Sequence, residues 1–159
     1  MTTAFVFHDD NVLMIKRSVN KKIHPGKWAG IGGHIEKHEL NVPKEACLRE
    51  IHEETGLKET DLSTLELRYI VFSKKKNEIW QQFVYIGYSM KQETGHTNEG
   101  ELHWISKNEV MNLTMPVTHQ SILGHYLNTQ INETEILVGT NTIMSGKPQV
   151  IWNSLHSTT

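Results

Sequence analysis

The chain carries a single cysteine, Cys47, among 159 residues. An internal disulfide framework is therefore impossible, and a reducing compartment is the natural setting. Neither sign of charge dominates: 16 Lys and Arg against 18 Asp and Glu leave a formal net charge of −2. That balance does not favour a nucleic-acid polymer as partner. No apolar stretch approaches the length of a membrane span. The first apolar run, "TAFVFHDD", starts almost at Met1 and is too short for a secretory signal. These absences predict a cytoplasmic protein that engages neither membrane nor nucleic-acid polymer. Internal repeats, low-complexity tracts and linkers are lacking too. What is present, 37% hydrophobic and 21% charged residues, suits a soluble globular protein with a real core. The expectation is one domain over 1–159, with a β-hairpin tail at about 132–155.

"TAFVF" and "NVLMIKR" read as two short strands joined at His8-Asp9-Asp10. "SVNKKIHPGK" is a polar loop, and "WAGIGGHIE" has too many glycines for a helix and reads as strand end or loop. From Pro43 to Thr55 the pattern is helical, with Pro43 suited to the first helical position and Gly56 to the residue just past the end. "TLELRYIVFS" and "EIWQQFVYIGYSM" are rich in aromatic and β-branched residues and flank a turn at Lys74-Lys75-Lys76-Asn77. "ELHWIS" is a further strand. Ser106 and Glu109 carry the capping-box pattern of a short helix. "VTHQSILGHYL" reads as another helix, and "EILVG" and "QVIWNSL" as tail strands separated by Ser145–Pro148. Strands and helices are interspersed without a βαβ repeat, which predicts an α+β domain, a mixed central sheet flanked by helices.

The helix over Pro43–Thr55 is costly as a helix. At about 100° per residue, Glu50, Glu53 and Glu54 fall within one arc near its C-terminus. Like charges at this spacing repel, and the macrodipole disfavours acids there. Arg49 can pair with Glu53 one turn on and relieves only part of the strain. Leu48, Ile51 and Cys47 lie on another face suited to a sheet, while Ala46 on the acidic side leaves room for an approaching group. Either the acids are simply solvated, or they hold a hard cation. Carboxylate oxygens suit Mg²⁺ or Mn²⁺, which keep waters and open positions for phosphates. His34, His38 and His52 lie nearby without zinc-ligand spacing.

Gly33, Glu39, Arg49-Glu50, Glu53-Glu54, Gly56 and Leu57 resemble the signature of the Nudix hydrolases, which cleave nucleoside diphosphates linked to another group. The family motif is Gly, five residues, Glu, seven residues, then Arg-Glu-apolar-x-Glu-Glu-x-Gly-apolar. "REIHEETGL" matches its second half throughout and "GGHIEKHE" its opening. The order of predicted elements follows the family over roughly residues 3–127. One departure stands out: nine residues, Leu40–Leu48, separate Glu39 from Arg49 where the family has seven. An insertion ahead of Pro43 lengthens a loop and leaves the helix phase untouched, so only the reach of Glu39 back to the helix is left open.

The resemblance implies an α/β/α sandwich and a loop–helix–loop that holds Mg²⁺, with Mn²⁺ able to substitute. It implies Glu50 and Glu54 as ligands, Glu53 as a third, and the backbone carbonyl of Gly32 from the double glycine. Arg49 is implied to hold Glu53 or Glu39 in place, and Gly33, Glu39 and Gly56 complete the box. The implied reaction is attack of a metal-activated water on a diphosphate phosphorus. The base is either a helix glutamate, Glu50 or Glu53, or one from "TNEGELHW", where Glu99 matches better than Glu101.

The surrounding stretches look more like the MutT-type nucleoside triphosphatases than the ADP-ribose or dinucleoside polyphosphate branches. Trp28 and Trp104 could stack on or enclose a base, and Arg17 or Lys27 could meet phosphate. Some oxidised-purine enzymes follow the tryptophan with asparagine, and this chain has Ala29. The leading expectation is Mg²⁺-dependent cleavage of a nucleoside triphosphate, 8-oxo-dGTP as one candidate, to monophosphate and pyrophosphate. The alternative is a nucleotide sugar, ADP-ribose or dinucleoside polyphosphate. A catalytically weak nucleotide-binding domain is a third reading, which the intact "REIHEE" opposes. Monomer and homodimer are both open.

Overall fold

The structure is a computed structural model and describes residues 1–130 and 134–156. Its centre is a mixed sheet. β1 (Thr2–His8) and β2 (Asn11–Arg17) form an antiparallel hairpin, with Asp9 at a positive φ in the turn. The two strands pair only at their turn end, Val6–His8 with Asn11–Leu13, and then diverge. The chain from Trp28 to Gly33 fills the gap. Its short strand β3 (Trp28–Ala29) pairs with Ile15 and Lys16, Ile31 bridges to Ala4, and the Thr2 N–H donates to the Gly33 carbonyl at 2.9 Å. The segment read as strand end or loop is thus a wedge between two strands. It pins the double glycine at the sheet's end.

A 3₁₀ turn (Lys37–Glu39) leads to α1 (Pro43–Thr55). Pro43 opens it, and Gly56 closes it at φ 75°, a left-handed conformation glycine adopts without strain. β4 (Leu62–Lys75) and β5 (Glu78–Ser89) make a long hairpin; the turn is tighter than expected, Lys74 and Lys75 remaining in the strand. β6 (Gly100–Ser106) runs antiparallel to β2 on its other edge. Ser106 and Glu109 do not cap a helix. Ser106 Oγ accepts from the Asn108 N–H, and only a 3₁₀ turn, Val110–Asn112, follows. α2 (Val117–Asn128) comes next.

The tail is a hairpin of β7 (Ile136–Met144) and β8 (Lys147–Leu155), longer in both strands than expected. Ser145 and Gly146, both at positive φ, form its two-residue turn. Pro148 lies within β8, which its edge position permits. The first residues expected in the tail, 132 and 133, lie outside the described residues. The strand order is β3-β2-β1-β5-β4-β7-β8, with β1·β5 and β4·β7 parallel.

Strand alternation divides the core in two. Ala4, Val6, Leu13, Ile15, Ile31 and Tyr85 pack with Cys47, Ile51 and Leu57 on the α1 face. Phe5, Phe7, Met14, Val71, Val84 and Ile86 pack with Ile122 and Leu123 on the α2 face. Helices on both faces give the expected sandwich. Ala46 is fully buried, so it closes the near end of the acidic face and leaves no open space there.

Candidate active site

A cavity of about 800 Å³ opens across one end of the sheet. Its walls come from the starts of β1 and β5, the ends of β2 and β4, the glycine wedge, α1 and the start of α2. On the α1 side stand Glu50, Glu53 and Glu54 with Gly32, Gly33 and Arg49. Arg17, Lys21, Lys22 and Glu99 line it from the loops beside β2 and β6, and Ser73, Trp80, Gln82, Thr118 and His119 from the α2 side.

Arg49 organises the acids. Its Nε and Nη2 donate to the two oxygens of Glu39 at 2.8 and 2.9 Å. Nη1 donates to Glu50 Oε1 at 3.0 Å and Glu53 Oε2 at 3.1 Å, and Nη2 also to the His34 carbonyl at 3.0 Å. A planar guanidinium fork can serve this many acceptors in fixed geometry where an ammonium cannot. Glu39 is buried. The Arg49 hydrogen bonds, aided by the Glu36 N–H, hold its carboxyl down at about 2, and Glu39 and Glu50 hold Arg49 above its ordinary value. The two-residue insertion is absorbed in the turn at Leu40 and Asn41, both exposed. Glu39 therefore reaches back to the helix through Arg49.

Glu50 and Glu54 are in the opposite condition. Burial raises the Glu54 carboxyl to about 7, with Glu50 and Glu99 adding to the shift and the Gly32 N–H, 2.9 Å from Glu54 Oε2, opposing it. Burial likewise raises Glu50, against the pull of Arg49. Glu54 is buried and Glu50 half-buried beside it, Arg49 and the more distant Arg17 only partly offset their charge, and a divalent ion would relieve both. The donors are all oxygen, which suits Mg²⁺. Glu50 also lies directly on the Gly33 backbone: a Cβ there would stand 2.6 Å from its Oε1. Among the described residues no three His, Cys, Asp or Glu side chains already form a closed metal cage. A Mg²⁺ site that draws on few carboxylates and keeps waters and phosphate oxygens does not require one.

Glu99 is held by Lys21, whose Nζ is 2.6 Å away, with Arg17 Nη2 at 3.9 Å. These three bring charge of both signs to the rim facing α1. Lys27, Trp28 and Trp104 are not brought to the cavity wall. Trp28 packs with the α2-face core, 5.3 Å from the His103 ring. Trp104 packs with the α1-face core and donates its indole N–H to the Gln92 carbonyl at 2.9 Å. The two rings lie on opposite faces of the sheet, so they do not enclose one base. The tryptophan in the wall is Trp80, half-buried, with Lys75 Nζ 3.8 Å from its ring centre. Trp80, Gln82 and His119 carried no local motif; only the alternation along β5, which puts Trp80 and Gln82 on one face, hinted at them. Lys21 could have been noticed from the paired lysines of "VNKKIH".

A sandwiched mixed sheet with an acid-bearing helix at the mouth of an end-of-sheet cavity defines a small α+β phosphoanhydride hydrolase. The chain belongs to the Nudix family, whose NUDIX domain profile matches residues 2–126. It is 27% identical over 146 residues to the uncharacterized Nudix hydrolase YvcI of Bacillus subtilis (strain 168), covering 89% of this chain and 85% of that one. The crystal structure of the Mutator MutT protein from Bacillus halodurans has a TM-score of 0.74 at 25% identity, covering 96% of this chain and 95% of the other. The NUDIX domain of Shewanella oneidensis NrtR, in complex with ADP ribose, has a TM-score of 0.66 at 16% identity, covering 79% and 83%, and shows likeness of fold. The protein is thus a Nudix hydrolase acting on nucleoside diphosphate derivatives, a family that generally uses divalent metal ions. No helix among the described residues is long and apolar enough to cross a membrane.

Proposed function

We propose that the protein is a Mg²⁺-dependent nucleoside triphosphate pyrophosphohydrolase that releases the monophosphate and pyrophosphate. The observation that carries this reading is the division of the cavity: acids of α1 on one side, Arg17 and Lys21 beside them, and on the other a wall with the polar side chains of Ser73, Gln82 and Thr118 together with Trp80 and Lys75. A chain of phosphates fits between the first two, and a base against the third. The similarity to the Bacillus halodurans MutT protein over nearly the whole of both chains supports the same branch.

Glu50, Glu54, Glu53 and the Gly32 carbonyl would hold Mg²⁺. The ion supplies Lewis acidity, offsetting phosphate charge and making water a better nucleophile. Arg49 keeps Glu50 and Glu53 in place by the hydrogen bonds above. Arg17 and Lys21 meet phosphate oxygens as positive partners. The candidates to take the proton of the attacking water are a helix glutamate, Glu50 or Glu53, and Glu99; Glu53 is the most exposed of the three cavity acids of α1. The site's small-molecule substrate class also accommodates an oxidised purine triphosphate such as 8-oxo-dGTP.

Incubation with Mg²⁺ and a panel of nucleotides, with product identification, tests the reading. Monophosphate plus pyrophosphate from triphosphates is expected. Turnover of ADP-ribose, a nucleotide sugar or a dinucleotide with none of triphosphates would refute it. Glu53→Gln and Glu99→Gln then distinguish the base, the true one losing kcat with little change in KM.

A further inference from the structure

The wall opposite the acids holds a hydrogen-bond arrangement with only one consistent solution. The backbone N–H of Gly30 points at His119 Nδ1, 3.3 Å away. A backbone N–H can only donate, so Nδ1 carries a lone pair. Burial, with help from His24 and Arg17, keeps the His119 imidazole neutral down to about pH 4. Its single proton therefore sits on Nε2. That Nε2–H faces the side-chain amide of Gln82, with the amide nitrogen 3.4 Å away. Two N–H donors face each other, which is repulsive.

The same amide nitrogen is 2.6 Å from Thr3 Oγ1. That distance is short for N–H···O but ordinary for O–H···O. A half-turn of the amide resolves both problems. Its oxygen then accepts from His119 Nε2–H and from the Thr3 hydroxyl. Amide oxygen and nitrogen have nearly the same shape, so the turn costs no packing. Gln82 lines the cavity, and its other amide atom makes no hydrogen bond among the described residues and is not sealed from solvent. The turn places the NH₂ there.

We propose that Gln82 is a specificity-determining residue whose NH₂, fixed by Thr3 and His119, donates to an oxo group on the substrate's base. A 6-oxo purine meets the donor with an acceptor, and a 6-amino purine meets it with another donor. His119 is a positioning residue that acts through the Gln82 oxygen. The inference rests on the base lying on the α2 side of the cavity, as in the function proposed above, but not on which phosphoanhydride is cleaved.

The test therefore uses monophosphates, whose binding does not depend on turnover. In ¹⁵N-labelled protein, His119 is expected to show an unprotonated Nδ1 and a protonated Nε2. With Mg²⁺ present, GMP is expected to shift the Gln82 NH₂ resonances and to bind more tightly than AMP. Gln82→Glu keeps acceptors for His119 and Thr3 but removes the donor. It is expected to lose GMP preference by roughly tenfold, through weaker GMP binding and AMP binding at least as tight as in wild type, while its melting temperature stays near wild type. A protonated Nδ1, or a GMP-to-AMP ratio unchanged in Gln82→Glu, overturns the proposal. Should the glutamate variant unfold, Gln82→Met supplies the same ratio. Absence of triphosphate turnover counts against the proposed function alone.

Discussion

The two adjacent glycines of the wedge should fail in opposite ways when given a methyl group. At Gly33 an added Cβ would lie 2.6 Å from Glu50 Oε1 and 2.7 Å from its Cδ and Oε2, where ordinary contact begins near 3.4 Å. Gly33 is not at a positive φ, so the backbone accepts alanine. The obstacle is the tip of a flexible side chain, which must retreat by about 0.8 Å. That displacement pulls Glu50 off Arg49 and out of the acidic cluster. Misplacement near 1 Å at a reacting centre costs roughly 10²-fold in rate, or about 2.7 kcal/mol of transition-state stabilisation. Stability should barely change, because the chain entropy lost by Ala in the unfolded state offsets a mild side-chain shift. At Gly32 the added Cβ would meet the Thr2 carbonyl oxygen and stand 2.8 Å from Thr3 Cα, and φ is 146°. Both obstacles are backbone. Gly32→Ala should cost about 2 kcal/mol or more of stability, or roughly 4–8 °C in Tm. Thermal melts and kcat/KM with Mg²⁺ on both variants decide the matter. A Gly33→Ala protein with unchanged kcat/KM, or one that melts as early as Gly32→Ala, would refute the reasoning.

Other outcomes follow from the same geometry. The Glu54 carboxyl is raised to about 7 in the folded protein. The native state therefore binds a proton more tightly there than the unfolded chain, and the Glu54 contribution to stability of the metal-free protein is fully present below about pH 4.5 and falls as pH rises toward 7 and above. The His119 imidazole, kept neutral down to about 4, acts in the opposite direction over the same range, so the Glu54 loss, on the order of 2 kcal/mol, is read as the difference between wild type and Glu54→Gln in melts in EDTA from pH 5 to 8. That difference should be removed by Mg²⁺, and a difference that does not vary with pH contradicts the burial argument. Glu54→Gln should also lose Mg²⁺-dependent turnover with its fold intact, by circular dichroism. Arg49→Lys keeps the charge but not the fork, so kcat should fall at least tenfold. Glu39→Gln should add little to that loss in a double-mutant cycle, whereas full additivity would mean the two act separately. Trp80→Ala should raise KM several-fold, while Trp104→Phe, remote from the cavity, should leave KM within about twofold. The reverse pattern would restore Trp104 to the substrate.

Features that depend on near neighbours in the chain were legible in the sequence. Helix α1, its opening proline, its closing glycine and the crowding of Glu50, Glu53 and Glu54 all follow from a period of 3.6 residues and local terminus chemistry. The long β4–β5 hairpin was visible in its aromatic and β-branched composition. The Ser106–Glu109 pattern misled because a capping box specifies a possible start without supplying the apolar periodicity that sustains a helix. Trp28 and Trp104 misled for another reason. Whether a strand residue faces one side or the other depends on the register of its pairing, and these two strands pair with β2 in registers that send the rings to opposite faces.

By itself, then, the sequence determined the acidic helix, the glycine-bearing loop before it and the family chemistry they imply. These lie within a few turns of one another, where chain geometry leaves little freedom. Tertiary structure alone decided that Glu39 meets Arg49 across a lengthened loop, that Lys21 reaches Glu99, and that Gln82 meets both His119 and Thr3. Such partners are separated by 10 to 79 residues along the chain. Their meeting is fixed by how β1 and β2 splay to admit the glycine wedge and by which end of the sheet each strand presents. That information resides in the packing of the whole sheet and in no single stretch of residues.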